Sequence, residues 1–128
     1  EINLISNLLL EYVSDYSQHP FPEYLRLGIP VALSTDDRGM WDSNITDEFF
    51  VAVKEFNLSW EELLLLSRNS LQYSFVEDDI KQQLLDTYNK RAAQFEKQFR
   101  SKGVVGLKAS APVSYGFTCK RYAVCDLR

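Results

Sequence analysis

A single histidine, His19, is the only imidazole in this 128-residue chain, and its two cysteines, Cys119 and Cys125, both fall in the last ten residues. One imidazole cannot by itself assemble a histidine-rich metal site. Five residues separate the cysteines, which is not the C-x-x-C spacing of zinc or thioredoxin-type sites. The pair suits either a small disulfide loop in an exported protein or two ordinary thiols in a cytosolic one. No apolar run approaches the ~18 residues of a membrane span.

Positive charge is scarce where a nucleic-acid surface would need it. Lys102, Lys108, Lys120, Arg121 and Arg128 face only Asp126 in the last 27 residues, a surplus of +4. Since the whole chain carries −4, the preceding 101 residues hold −8. An acidic body is a poor match for phosphate-backbone binding, which depends on clustered Lys and Arg. No nucleic-acid partner and no membrane partner is expected.

What is present is an apolar run that ends abruptly in two carboxylates, Ile29-Pro30-Val31-Ala32-Leu33-Ser34-Thr35-Asp36-Asp37. A parallel strand covered on both faces reads as such a run. Two adjacent like charges at its carboxyl end disfavour each other's ionisation, and in a β/α barrel that end of a strand is the catalytic face. The alternative is that Asp36 and Asp37 cap the next helix or turn, a common use of Asp.

A second strand is expected over residues 2–6. Pro22 suits the first turn of a helix carrying Tyr24, Leu25 and Leu27, with Gly28 at its carboxyl-terminal stop. Residues 38–43 read as a loop. A helix opens at Asp47 and Glu48, where negative charge suits the dipole, with Phe49, Phe50, Val53 and Phe56 expected on its buried side. Ser59 and Glu62 form a capping-box signature flanked by Leu58 and Leu63 in hydrophobic-staple positions. Leu63 to Leu66 is apolar nearly all round and reads as sandwiched. A third helix follows Ser74, with Glu77 three residues later, and Ile80, Leu84, Tyr88, Ala92, Phe95 and Phe99 fall on one helical face. The fold class is therefore α/β, from the alternation of strands and helices.

Ala32-Leu33-Ser34-Thr35-Asp36-Asp37 resembles the signature of the adenosine/AMP deaminase family, which runs small, aliphatic, small polar, small, Asp, Asp, Pro; Arg38 stands at the position of the Pro. Ser6-Asn7-Leu8, His19-Pro20-Phe21-Pro22, Arg68-Asn69-Ser70 and Ser74-Phe75 resemble flanking family segments, and the likeness covers roughly residues 1 to 100. The bacterial and growth-factor-type adenosine deaminases are the most similar variety. That resemblance implies the carboxyl-terminal part of a (β/α)8 barrel, its last strands and following helices, left incomplete here because a barrel takes about 250 residues. It implies a domain portion over residues 1–101, a basic and loosely ordered extension over 102–128, and a missing amino-terminal part of the same polypeptide as partner.

By position, the resemblance makes Asp36 a carboxylate ligand of a catalytic Zn2+ and Asp37 a hydrogen-bond partner of a purine nucleoside at N7. The reaction is the hydrolytic deamination of adenosine to inosine and ammonia; AMP or another aminopurine is an alternative substrate. The family's histidines and Glu proton donor lie upstream, so the chain holds no catalytic residue of its own and is expected to be inactive alone. A non-catalytic binding role is the remaining alternative. With no cysteine in the body, the His/Cys/Cys zinc pattern of cytidine-type deaminases is excluded. His19 is a loop residue near the substrate entrance, a partner that supports a site side chain from behind, or a loop histidine satisfied by backbone groups. Trp41 and Met40 either wall the pocket or pack, and Asn69 and Ser70 serve packing or capping.

Overall fold

A computed structural model describes residues 1–106 and 116–124. Helices dominate: α1 (Leu4–Leu9), α2 (Phe21–Arg26), α3 (Arg38–Trp41), α4 (Ile45–Phe56), α5 (Trp60–Gln72), α6 (Asp78–Lys102) and α7 (Phe117–Tyr122), with 3-10 turns at Tyr16–Gln18 and Val104–Gly106. The core gathers Leu4 and Ile5 of α1, Phe21 and Leu25 of α2, Val31 and Leu33, Val51 and Ala52 of α4, and Leu66 of α5. No helix among the described residues is long and apolar enough to cross a membrane.

The two expected strands shrink to one isolated parallel bridge between Ile2 and Leu33. Its bonds are Ile2 N–H to Ala32 O at 2.9 Å and Ser34 N–H to Ile2 O at 2.9 Å. Residues 4–6, expected as strand, belong to α1, and so do Ser6, Asn7 and Leu8. The reason is the cost of unpaired backbone: a parallel strand persists when neighbours satisfy both edges. Here the far edge is open. Leu33 N–H and C=O have no partner among the described residues, and a groove of about 440 Å³ runs beside it, lined by Val31, Leu33, Asn69, Tyr73 and Phe75.

Local signals explain most helix ends. Pro22 sits in the first turn of α2, and Gly28 just past its end takes φ +80°, which costs Gly little because it has no Cβ. The Ser59–Glu62 capping box forms, with Ser59 N–H donating to Glu62 Oε2 at 2.8 Å. Asn44 and Asp47 build a second one, Asn44 N–H donating to Asp47 Oδ2 at 2.9 Å. The helix expected after Ser74 starts only at Asp78, because the Ser74 hydroxyl is spent on Leu71 O at 2.6 Å, at the end of α5.

Three faces differ from expectation. On α4 the buried residues are Asp47, Glu48, Val51 and Ala52; Phe49, Phe50 and Phe56 are half-buried, and Val53 is exposed. Glu48 turns the helix, since its carboxylate is consumed inside the fold. Leu66 of α5 is buried in the core and α6 packs along another side of the helix, while Leu65 stays exposed. Along α6, Leu85 is the buried residue, while Ile80, Leu84, Phe95 and Phe99 stay exposed. Tyr88 O–H to Leu64 O at 2.9 Å fastens α6 to α5. Within the segment read as a loosely ordered extension, α7 is helical and buries Phe117, Thr118 and Cys119. Cys119 is not a free thiol; Cys125 lies outside the described residues.

Candidate active site

Asp36 and Asp37 sit where the extended segment stops. Asp36 takes φ +50°, a left-handed conformation that non-glycine residues hold only when their surroundings fix them. Its fastening is specific: Ser6 Oγ–H donates to Asp36 Oδ2 at 2.8 Å. That is the only side-chain bond of Asp36 among the described residues, so Oδ1 is uncommitted at an exposed position. Asp37 occupies the cap position of α3, yet its side chain makes no capping bond. Helix capping therefore does not account for Asp37.

Ser6 can hold Asp36 because α1 is itself anchored. Glu48, 0% exposed, accepts Leu4 N–H at 2.9 Å and Ile5 N–H at 3.4 Å. These are the first two amide groups of α1, which has no side-chain cap of its own, and helix-start N–H groups need an acceptor from elsewhere. Burial pushes the Glu48 carboxyl up to about 7 against the pull of those two N–H groups, with Asp47 and Asp36 adding smaller upward contributions. Nothing in the sequence marked Glu48 beyond a helix-opening charge, since its partner lies 44 residues away.

Stability should therefore depend on pH with a definite sign. Between the ordinary carboxylate value of 4.5 and about 7 the folded chain keeps a proton on Glu48 that the unfolded chain has lost. Stability is then full below pH 4.5 and falls as pH rises to 7, by about 3 kcal/mol from this group. Urea unfolding of wild type and Glu48→Gln from pH 4.5 to 8 checks it; the variant should lack that slope.

His19 serves the scaffold. Phe21 N–H donates to its Nδ1 at 3.1 Å, so the proton resides on Nε2, which is 2.9 Å from the acceptor Asn7 Oδ1. Burial holds the imidazole below its usual value, consistent with a neutral ring. Both nitrogens of His19 are thus satisfied, one by backbone and one by the Asn7 side chain. Trp41 packs against the core and Met40 is exposed. Asn69 is buried, and its Nδ2–H donates to Val31 O at 2.8 Å, clamping the extended segment; Ser70 Oγ–H donates to Ser67 O within α5. Asn69→Ala should leave Val31 C=O unsatisfied and lower stability by about 1–3 kcal/mol, measurable as a reduced urea midpoint.

Among the described residues no three His, Cys, Asp or Glu side chains gather in metal-binding range. An uncommitted Asp36 oxygen suits one carboxylate ligand, and three protein ligands is the usual catalytic number. Among the described residues, Asp36 offers one uncommitted carboxylate oxygen, short of that number.

The family model for adenosine deaminase matches residues 1–91. An N6-methyl-AMP deaminase of Danio rerio is 34% identical over 88 residues, covering 69% of this chain and 25% of the relative. An adenosine deaminase of Plasmodium gallinaceum is 36% identical over 88 residues, covering 69% and 24%. Among solved structures, an ADAL–IMP complex superposes with TM-score 0.68 at 30% identity, covering 73% of this chain and 27% of the other. The adenine deaminase of Arthrobacter aurescens gives 0.67 at 32%, covering 72% and 28%. The chain spans about a quarter of the length of the curated relatives it matches. It belongs to the adenosine deaminase family.

Proposed function

We propose that this chain contributes the carboxylate side of a zinc-dependent purine deaminase site, in which adenosine is hydrolysed to inosine and ammonia. The observation that carries the reading is the Asp36–Asp37 pair: one carboxylate held by Ser6 with an oxygen left over, the other spent on no cap. Asp36 would hold the metal and Asp37 would hydrogen-bond the purine ring at N7. A bound zinc supplies an acidified water at neutral pH, bringing its pKa to about 7. The chain's own residues prepare the site: Ser6 orients Asp36, and Glu48 fixes the helix that carries Ser6.

The same reading makes residues 2–3 and 30–35 the last two strands of a (β/α)8 barrel, completed by the rest of the polypeptide. The parallel sense of the Ile2–Leu33 bridge and the open Leu33 edge support it. A second substrate, AMP or N6-methyl-AMP, is favoured by the relatives that carry the N6-methyl-AMP deaminase name. Turnover of adenosine, AMP and N6-methyl-AMP by the whole protein separates the two. A higher kcat/KM for adenosine is expected; a preference for either nucleotide selects the second reading, and turnover of none removes both.

A further inference from the structure

The carboxyl-terminal helix lies outside the residues matched to the family model, which end at 91, yet it is fastened to the loop that leaves the Asp pair. Phe117 N–H donates to Asp42 O at 2.8 Å, and Lys120 Nζ pairs with the Asp42 carboxylate. Thr118 N–H reaches Asp47 Oδ1 at 3.4 Å, the same carboxylate that caps α4 through Asn44 N–H. Gly116 makes the approach possible, since a Cβ there would lie 2.8 Å from Asp42 O. Asp42 ends α3 in the left-handed region, φ +50°. The far side is secured as well: Tyr122 O–H donates to Glu55 at 2.7 Å, and the Arg121 guanidinium lies 5.9 Å from the Tyr16 ring centre.

We propose that α7 is a clasp that positions residues 36–43, so that Asp37 and α3 keep one arrangement when substrate enters. Among the described residues, every bond to Asp42 comes from α7, apart from its own bonds within the turn, and α3 spans four residues between Asp37 and Asp42. A four-residue helix has too few bonds to hold itself. Its position is therefore set by the packing of Trp41 on the core and by what grips its ends: Ser6 through Asp36 at one end, α7 through Asp42 at the other. Residues 116–122 act as a positioning element, and no part of them touches substrate.

The test uses the whole protein with Lys120→Ala and, separately, Gly116→Val. Hydrogen exchange of the amides of residues 36–43 should accelerate about fivefold in Lys120→Ala and more in Gly116→Val, with α5 and α6 unchanged. In the kinetic arm, which rests on the proposed deaminase reading, KM for adenosine should rise about fivefold while kcat and metal content hold. Unchanged exchange at residues 36–43 in both variants overturns the clasp. So does uniform acceleration across α5 and α6, since α7 would then only add global stability. A wild type without turnover sinks the deaminase reading, and the exchange result still decides the clasp.

Discussion

Glu48→Ala should cost about 3 kcal/mol of stability. Two effects add. The first two N–H groups of α1 lose their only acceptor, and an unmet buried donor costs about 1–3 kcal/mol. A cavity also opens at a residue with 0% exposure, and the neighbours relax only partly. Relief of a buried charge offsets some of this near neutral pH, because the group sits at about 7. With folding stabilities of about 5–15 kcal/mol, the variant loses a large fraction of the total. Glu48→Gln, which keeps one acceptor oxygen and cannot ionise, should lose about 1 kcal/mol at pH 4.5 and be at least as stable as wild type near pH 7. Urea unfolding followed by circular dichroism, near pH 7, separates them; equal midpoints for Glu48→Ala and wild type would refute the anchoring of α1.

Asp36→Ala should abolish turnover in the whole protein, by about a thousandfold or more. Loss of a metal's contribution to transition-state charge is worth several kcal/mol, and each 1.36 kcal/mol is about a factor of ten in rate. Asp37→Asn should behave differently. It alters one hydrogen bond to the ring, worth about 0.5–1.5 kcal/mol, so kcat/KM falls about two- to tenfold. Because the two side chains are adjacent yet differently held, one by Ser6 and one by nothing among the described residues, their effects should split. Identical losses in both variants would show that the pair acts as a unit.

How much of this was legible in the sequence follows from the range of the interactions. The α2 stop at Gly28 and the capping box Ser59–Glu62 are local, and both form. The Asn44–Asp47 box is equally local, and its acidic residue also suits the start of the helix dipole. The strands were a different matter. An apolar run specifies what a segment will bury, whereas strand structure needs partners on both edges, and residues 30–35 find one bridge to Ile2. Residues 4–9 show the same limit from the other side: α1 forms because Glu48 caps it across 44 residues, a contact no local pattern encodes. For the site, the Asp pair was visible as charge at the end of an apolar run, but Ser6 and Glu48 were not, since their roles exist only once α1 and α4 meet.

The account turns on whether Asp36 binds the metal. Metal analysis of the whole protein, purified in parallel as wild type, Asp36→Ala and Asp37→Asn, measures this most directly. About one zinc per chain is expected in wild type and Asp37→Asn, and close to none in Asp36→Ala. Full zinc in folded Asp36→Ala would contradict the central claim.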